Sequence, residues 1–232
     1  MKKSPLIIAA FIAASLPAVH ATSVTFSGVP SARAVVVDAA GTLVTQGSLV
    51  MAGTFVTPAN IHLDSSMSLA ANYNTNTANA GWKQFTLDPS TGLLDTGATN
   101  NITISSIGKV GGTATDNASP QADFFNSKTV YLWIFNAATV GAATEMGIYT
   151  ATTATPPWVF PTNANGVGDT VTLSTTSSGS PVIAALGGFG TTSSTRFQLT
   201  DQFNVSAVPE PGTLGAGLFV GLVGICMRPR RR

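Results

Sequence analysis

Short apolar stretches separated by turn residues set the pattern along most of this chain. "SVTFSG", "RAVVVD", "SLVMAGTFV", "QFTLD", "NITISS", "TVYLWIFN", "TVTLST" and "TRFQLT" are rich in Val, Ile, Thr and aromatic residues, with the two-residue period of strands. Between them lie "DAAG", "DPSTG", "DTGATN" and "NANGVGD", which put Asp or Asn where a side chain caps a turn and Gly where φ must be positive. Many short strands with such punctuation predict a mainly β fold, an antiparallel β-sandwich-like domain. "TVYLWIFN" is the most apolar of them, with Tyr131, Trp133 and Phe135 on one face and Leu132 and Ile134 on the other, so both faces are expected to be covered. One stretch, "ANIHLDSSMSLAANY", reads instead as a short helix with Ile61, Leu69 and Met67 inward. No internal repeat and no long linker divides this region.

The two ends follow a different pattern. Lys2 and Lys3 precede an apolar run from Leu6 to Leu16, and "AVHA" with Ala21 then gives way to Thr22. That order is the order of a secretory signal peptide cut after Ala21, with the run too short for the roughly 20 residues of a spanning helix. At the other end Pro209 and Pro211 flank Glu210; each fixes φ and lacks an N–H, which keeps the peptide extended and readable. Gly212 to Met227 follows as an apolar run, about 24 Å long as a helix and a little short of a hydrocarbon core of about 30 Å. Arg228, Arg230, Arg231 and Arg232 then serve as a stop-transfer cluster that holds the C-terminus on the cytoplasmic side. Gly217 and Gly221 form a GxxxG pair within the run. The expected division is therefore 1–21 signal helix, 22–206 exported β-rich domain, and 207–232 tail with its motif at 208–211 and transmembrane helix at 212–227.

Charge changes the picture once the ends are set aside. The formal +1 of the whole chain comes from the leader and tail, because residues 22–206 keep five basic residues (Arg33, Lys83, Lys109, Lys128, Arg196) against nine acids from Asp38 to Asp201. A mildly acidic domain argues against nucleic acid as a partner. The single cysteine, Cys226, lies in the C-terminal apolar run, so no intramolecular disulfide can form and core packing alone must hold the exported domain.

Candidate chemistry is sparse. His62 is the one histidine left after the leader, which supplies neither a multi-histidine metal site nor a Ser-His-Asp relay. Glu145, Asp123 and Asp116 could pair in space for glycoside hydrolysis, but most aspartates lie within three residues of Gly, Pro or Ser, where turn capping is the simpler role. Asp88 and Asp95 in "LDPSTGLLDTG" offer oxygen ligands for calcium without the EF-hand spacing. Neither a catalytic residue, a cofactor nor a metal site is therefore assigned. Trp82, Trp133 and Trp158 would be core residues on the simpler reading and a stacking platform for sugar rings on the functional one. Trp82 and Trp158 are the candidate glycan contacts, Trp158 because the prolines of "TPPWVFP" discourage a central strand. Asn101, Asn117 and Asn204 each begin a glycosylation sequon.

At Val208 to Pro211, the apolar run from Leu214 to Met227 and the terminal "RPRRR", the sequence resembles the PEP-CTERM proteins of Gram-negative bacteria that make exopolysaccharide and biofilm. The resemblance covers about the last 25 residues, together with the leader such proteins need. It implies export through the Sec translocon as an inner-membrane precursor. An exosortase, a membrane-embedded cysteine enzyme, would then recognise Val208, Pro209, Glu210 and Pro211 and deliver the domain to the cell surface, outer envelope or matrix. "GSLVMAGTF", "TVYLWIFN", "EMGIY" and "WVFP" also look like exported domains found with this tail, with no activity attached. The function expected is that of a non-enzymatic surface or biofilm-matrix protein. The alternative is a domain that binds or acts on exopolysaccharide.

N-terminal sequencing of the exported protein should begin at Thr22. An intact leader on protein recovered from the envelope would exclude cleavage at Ala21.

Overall fold

A computed structural model describes residues 22–27, 34–87, 90–91, 93, 98–115, 122–151, 157–161, 170–175, 184–193 and 196–203. The described chain is mainly β, and its strands pair antiparallel with two exceptions. In the first sheet β1 (Ser23–Ser27) is central. It runs antiparallel to β7 (Val110–Thr115) and parallel to β10 (Thr170–Ser174), and β5 (Thr99–Asn100) and β6 (Thr103–Ile104) complete the far side of β7. The second sheet has the order β11 (Ala184–Ala185), β9 (Met146–Thr150), β8 (Tyr131–Phe135), β3 (Val50–Phe55) and β4 (Trp82–Gln84), all antiparallel. A third sheet joins β12 (Thr191–Ser193), β13 (Arg196–Gln198) and β2 (Val35–Val37), the last pair parallel.

Most of the strands expected from the sequence form within a residue or two. The differences have local causes. In "QFTLD" only Gln84 belongs to a strand, as the end of β4; Phe85 and Thr86 form a turn, and Phe85 is fully buried there. β7, in "VGGTAT", escapes the pattern because its glycines carry no side chain; a Cβ at Gly112 would collide with the Asn101 carbonyl.

Two apolar clusters lie on opposite faces of the second sheet. On one face Val50, Ala52, Leu132, Ile134 and Tyr149 meet Val24, Phe26 and Leu173 of the first sheet and Val36 and Phe197 of the third. On the other face Met51, Phe55, Tyr131, Trp133, Phe135 and Ile148 pack under Leu69 and Phe189, with Tyr73 against them. The expectation that β8 is covered on both faces holds at every one of its residues.

The second cover is α1 (Leu69–Asn79), capped by the Ser68 side chain, which accepts the Ala71 N–H at 3.2 Å. The helix begins later and ends later than "ANIHLDSSMSLAANY" suggests; Ile61 and Leu69 are buried, but Met67 is only half-buried. Residues 61–64 are extended, because two side chains of α1 claim their backbone. Asn76 accepts the His62 N–H at 2.9 Å and donates to the His62 carbonyl at 2.9 Å. One turn earlier Asn72 does the same to Asp64, at 2.8 Å in both directions. An Asn amide has the donor and acceptor of a peptide group, so these two residues pair with an extended segment as a strand would.

Trp133→Ala should destabilise the domain by roughly 3 to 5 kcal/mol, as truncation of a large buried aromatic does. A melt followed by circular dichroism measures this, and an unchanged transition would remove Trp133 from the core.

Candidate functional site

The residues singled out from the sequence divide sharply in the fold. Ala21, Val208, Pro209, Glu210, Pro211 and the tail arginines Arg228, Arg230, Arg231 and Arg232 lie outside the described residues, as do Asp88, Asp95, Asp116, Asn117 and Asn204. Asp123 lies in α2 (Ala122–Phe125), with its side chain outside what is described. Among the described residues no helix is long and apolar enough to cross a membrane. The apolar runs at the two ends are not among them.

The tryptophans are core residues, which corrects the sugar-platform reading of Trp82 and Trp158. Trp158 is fully buried, edge-on to Phe26 at 5.1 Å, and its indole N–H donates to the Ser174 carbonyl at 3.1 Å. The prolines beside it do not prevent pairing, because the N–H that matters is its own: Trp158 donates to the Ala151 carbonyl and accepts from Val130, both at 2.9 Å. Trp82 sits on an edge strand but lies flat over Gly53, 4.8 Å from Phe55 and 5.4 Å from Trp133. Only 6% of it is exposed, too little to stack a ring. Among the described residues its buried indole N–H has no hydrogen-bond partner.

The aspartates that can be followed are turn residues. Asp38 accepts the Thr42 N–H at 2.7 Å across a turn whose Gly41 has φ of 87°, and Asp64 accepts the Ser66 N–H at 2.8 Å. Hydrogen bonds from Ser66 hold the Asp64 carboxyl below the usual range. His62 is exposed, with its backbone paired to Asn76.

Glu145 is placed differently. It stands at the entry to β9 and accepts the Ala39 N–H at 2.8 Å, which ties that strand to the turn after β2. The end of β13 closes the same corner. Thr200 exchanges backbone hydrogen bonds with Met146, Leu199 donates to the Val37 carbonyl, and the Gln198 side-chain amide donates to the Ala39 carbonyl at 2.8 Å. A concavity of about 330 Å³ opens here, lined by Ala39, Gly188, Gly190, Gln198 and residues 199–202. Burial pushes the Glu145 carboxyl above its usual range, the Ala39 N–H pulls it back, and the charges of Asp38 and Asp201 push it further up. Sequence reasoning noticed Glu145 but not its neighbours, because Asp38 and Asp201 are remote along the chain and look like ordinary turn residues. Chemically the corner offers one carboxyl with a raised pKa beside a hollow of mixed polar and apolar lining. Among the described residues no three His, Cys, Asp or Glu gather to hold a metal ion.

A second concavity, of about 320 Å³, lies between the end of β3 and the start of β8, where Thr54, Val56, Pro58, Lys128 and Tyr131 line it. The Lys128 ammonium sits 3.2 Å from the centre of the Phe124 ring, and burial lowers its pKa while raising that of Tyr131. No protein-family model, curated protein or solved structure matches this chain.

Glu145→Gln should flatten part of the pH dependence of stability. A carboxyl with a raised folded-state pKa contributes stability that is complete below its unfolded value and is lost as pH rises through the folded value. Gln keeps an acceptor for the Ala39 N–H without the charge. The melting temperature of the variant relative to wild type should therefore climb as pH rises from about 4 to about 7. A difference that stays constant over that range would show that burial and the nearby Asp38 and Asp201 do not raise the Glu145 pKa.

Proposed function

We propose that this chain is a non-enzymatic exported protein of the cell surface or biofilm matrix, sorted and processed by an exosortase through Val208, Pro209, Glu210 and Pro211. The observation that carries the reading is the order of the tail: an acid between two prolines, an apolar run a little short of the hydrocarbon core, then arginines. The position of the packed core agrees with it. β1 begins at Ser23, just past the expected cut, and the last buried residue described, Phe203, comes shortly before the motif. The sheets would form a sandwich-like domain, with the second sheet as its middle layer. The leader would deliver this domain through the Sec translocon, and the apolar run at 212–227 would hold the precursor in the inner membrane until the exosortase acts.

A second reading, a domain that binds or acts on exopolysaccharide, draws its support from Glu145. Burial and the charges of Asp38 and Asp201 raise the pKa of its carboxyl near a hollow, which is the direction a general acid needs.

Glu210→Ala separates sorting from mere anchoring, because it leaves the apolar run and the arginines intact. In a host carrying the exosortase, the variant should accumulate in the membrane at full length, while wild type appears as a shorter or modified species in the outer envelope or matrix. Blotting of fractions for an epitope placed before Ser206 reads both forms. Identical size and location for the two proteins would leave a plain single-span membrane protein.

A further inference from the structure

The outer face of the first sheet carries an ordered array of short hydroxyl side chains. Registered partners share a face, and the inward set has Val24, Phe26, Ala114 and Leu173 buried and Val171 half-buried against the core. The outward set therefore falls into rows across four strands. One row is Thr170, Ser23, Thr115 and Thr99. The next is Thr172, Thr25 and Thr113, continued by Asn101, whose N–H donates to the Thr113 carbonyl at 2.9 Å. Thr103, opposite Gly111, extends the same edge. The β5, β6 and β10 members are exposed, and the central ones half-buried.

The array has three physical properties. Its spacing is regular, about 4.8 Å between strands and about 6.7 Å along them. Its groups are held in place: the Thr side chains are stiff at χ1, and the central hydroxyls bond one another, Ser23 to Thr115 at 3.1 Å and Thr25 to Thr113 at 2.9 Å. Each such pair uses one proton and leaves lone pairs and the second proton for an outside partner. Finally, the rows contain no charge and no aromatic ring.

Those properties select the partner. Nucleic acid and charged polymers would find no counter-charge. A sugar ring would find no aromatic surface, and a protein would find none of the aromatic and Arg anchors that dominate such contacts. A single dissolved solute gains little, because each hydroxyl already bonds liquid water. A neutral solid whose surface repeats donors and acceptors engages many rows at once, so one loss of freedom serves the whole array. We propose that this face binds ice, the hydroxyls meeting the fixed oxygens of the crystal plane and the threonine methyls filling the spaces between them.

The test uses purified, fluorescently labelled full-length protein while ice is grown slowly in dilute solution, with partition between ice and liquid as the readout. Wild type should concentrate in the ice. Thr25→Lys at the centre and Thr172→Tyr on the exposed edge should be left in the liquid, while Ala78→Lys, on the exposed side of α1, should behave as wild type. Melts followed by circular dichroism establish that each variant is folded, and Thr172→Tyr decides if Thr25→Lys is not. Wild type excluded from ice like an inert globular protein would overturn the proposal, and so would folded face variants that still enter it. Retention on an insoluble neutral polysaccharide with exclusion from ice would overturn it too and give the face to a saccharide. The outcome is independent of sorting, since Glu210 takes no part in the assay.

Discussion

Burial of both faces of β8 is the constraint from which the rest of the architecture follows. A strand with Leu132 and Ile134 on one side and Tyr131, Trp133 and Phe135 on the other cannot rest on a single layer; it needs apolar cover twice. The first and third sheets supply one cover, and α1 with Phe189 and Phe203 supplies the other. Trp133 gathers the second cover, with Tyr73 at 4.8 Å, Trp82 at 5.4 Å and Phe55 at 5.7 Å, and its indole N–H against the Met146 sulfur at 3.3 Å. Without an intramolecular disulfide, this packing has to hold the domain together. Two glycines make room for it. A Cβ at Gly53 would strike the Trp82 ring at 2.7 Å, and one at Gly147 would strike the Tyr149 ring at 2.6 Å. Tyr149 uses the space to reach the Gln198 carbonyl at 2.7 Å, which fastens the second sheet to the third.

The helical cover is unusual in what holds it. "LAANYNTNTAN" is poor helix-forming material, since Asn and Thr favour caps and turns. Tertiary interactions compensate. Asn72 and Asn76, one turn apart on the buried side, hydrogen-bond the backbone of Asp64 and His62 and so satisfy an extended segment that belongs to no sheet. The residues that weaken the helix locally are the ones that attach it.

Residue types divide between the interior and the surfaces of the domain. Most of the described aromatic residues, which on many proteins serve recognition, are buried in the interior. Hydroxyls are left on the outer face of the first sheet, and acids at the corner where the segment toward the tail is docked by Val37, Ala39 and Met146. Glu145 joins the elements at that corner, at the cost of a partly buried charge close to two others.

Local pattern was enough to indicate what depends on neighbours along the chain. The β character, the two-faced burial of "TVYLWIFN" and the Asp38 turn with Gly41 are all readable there, because side-chain alternation and φ preferences are short-range properties. Other features required the tertiary structure. Trp158 reads as exposed from its prolines and is buried because its own N–H and carbonyl pair with Ala151 and Val130. The helix boundary at Leu69 depended on Asn side chains reaching a segment some 8 to 14 residues earlier. Asp38, Glu145 and Asp201, and likewise the rows from Thr170 to Thr99, are brought together only by strand register. Register is a long-range quantity, set by which faces the whole core must bury, and no window of sequence contains it.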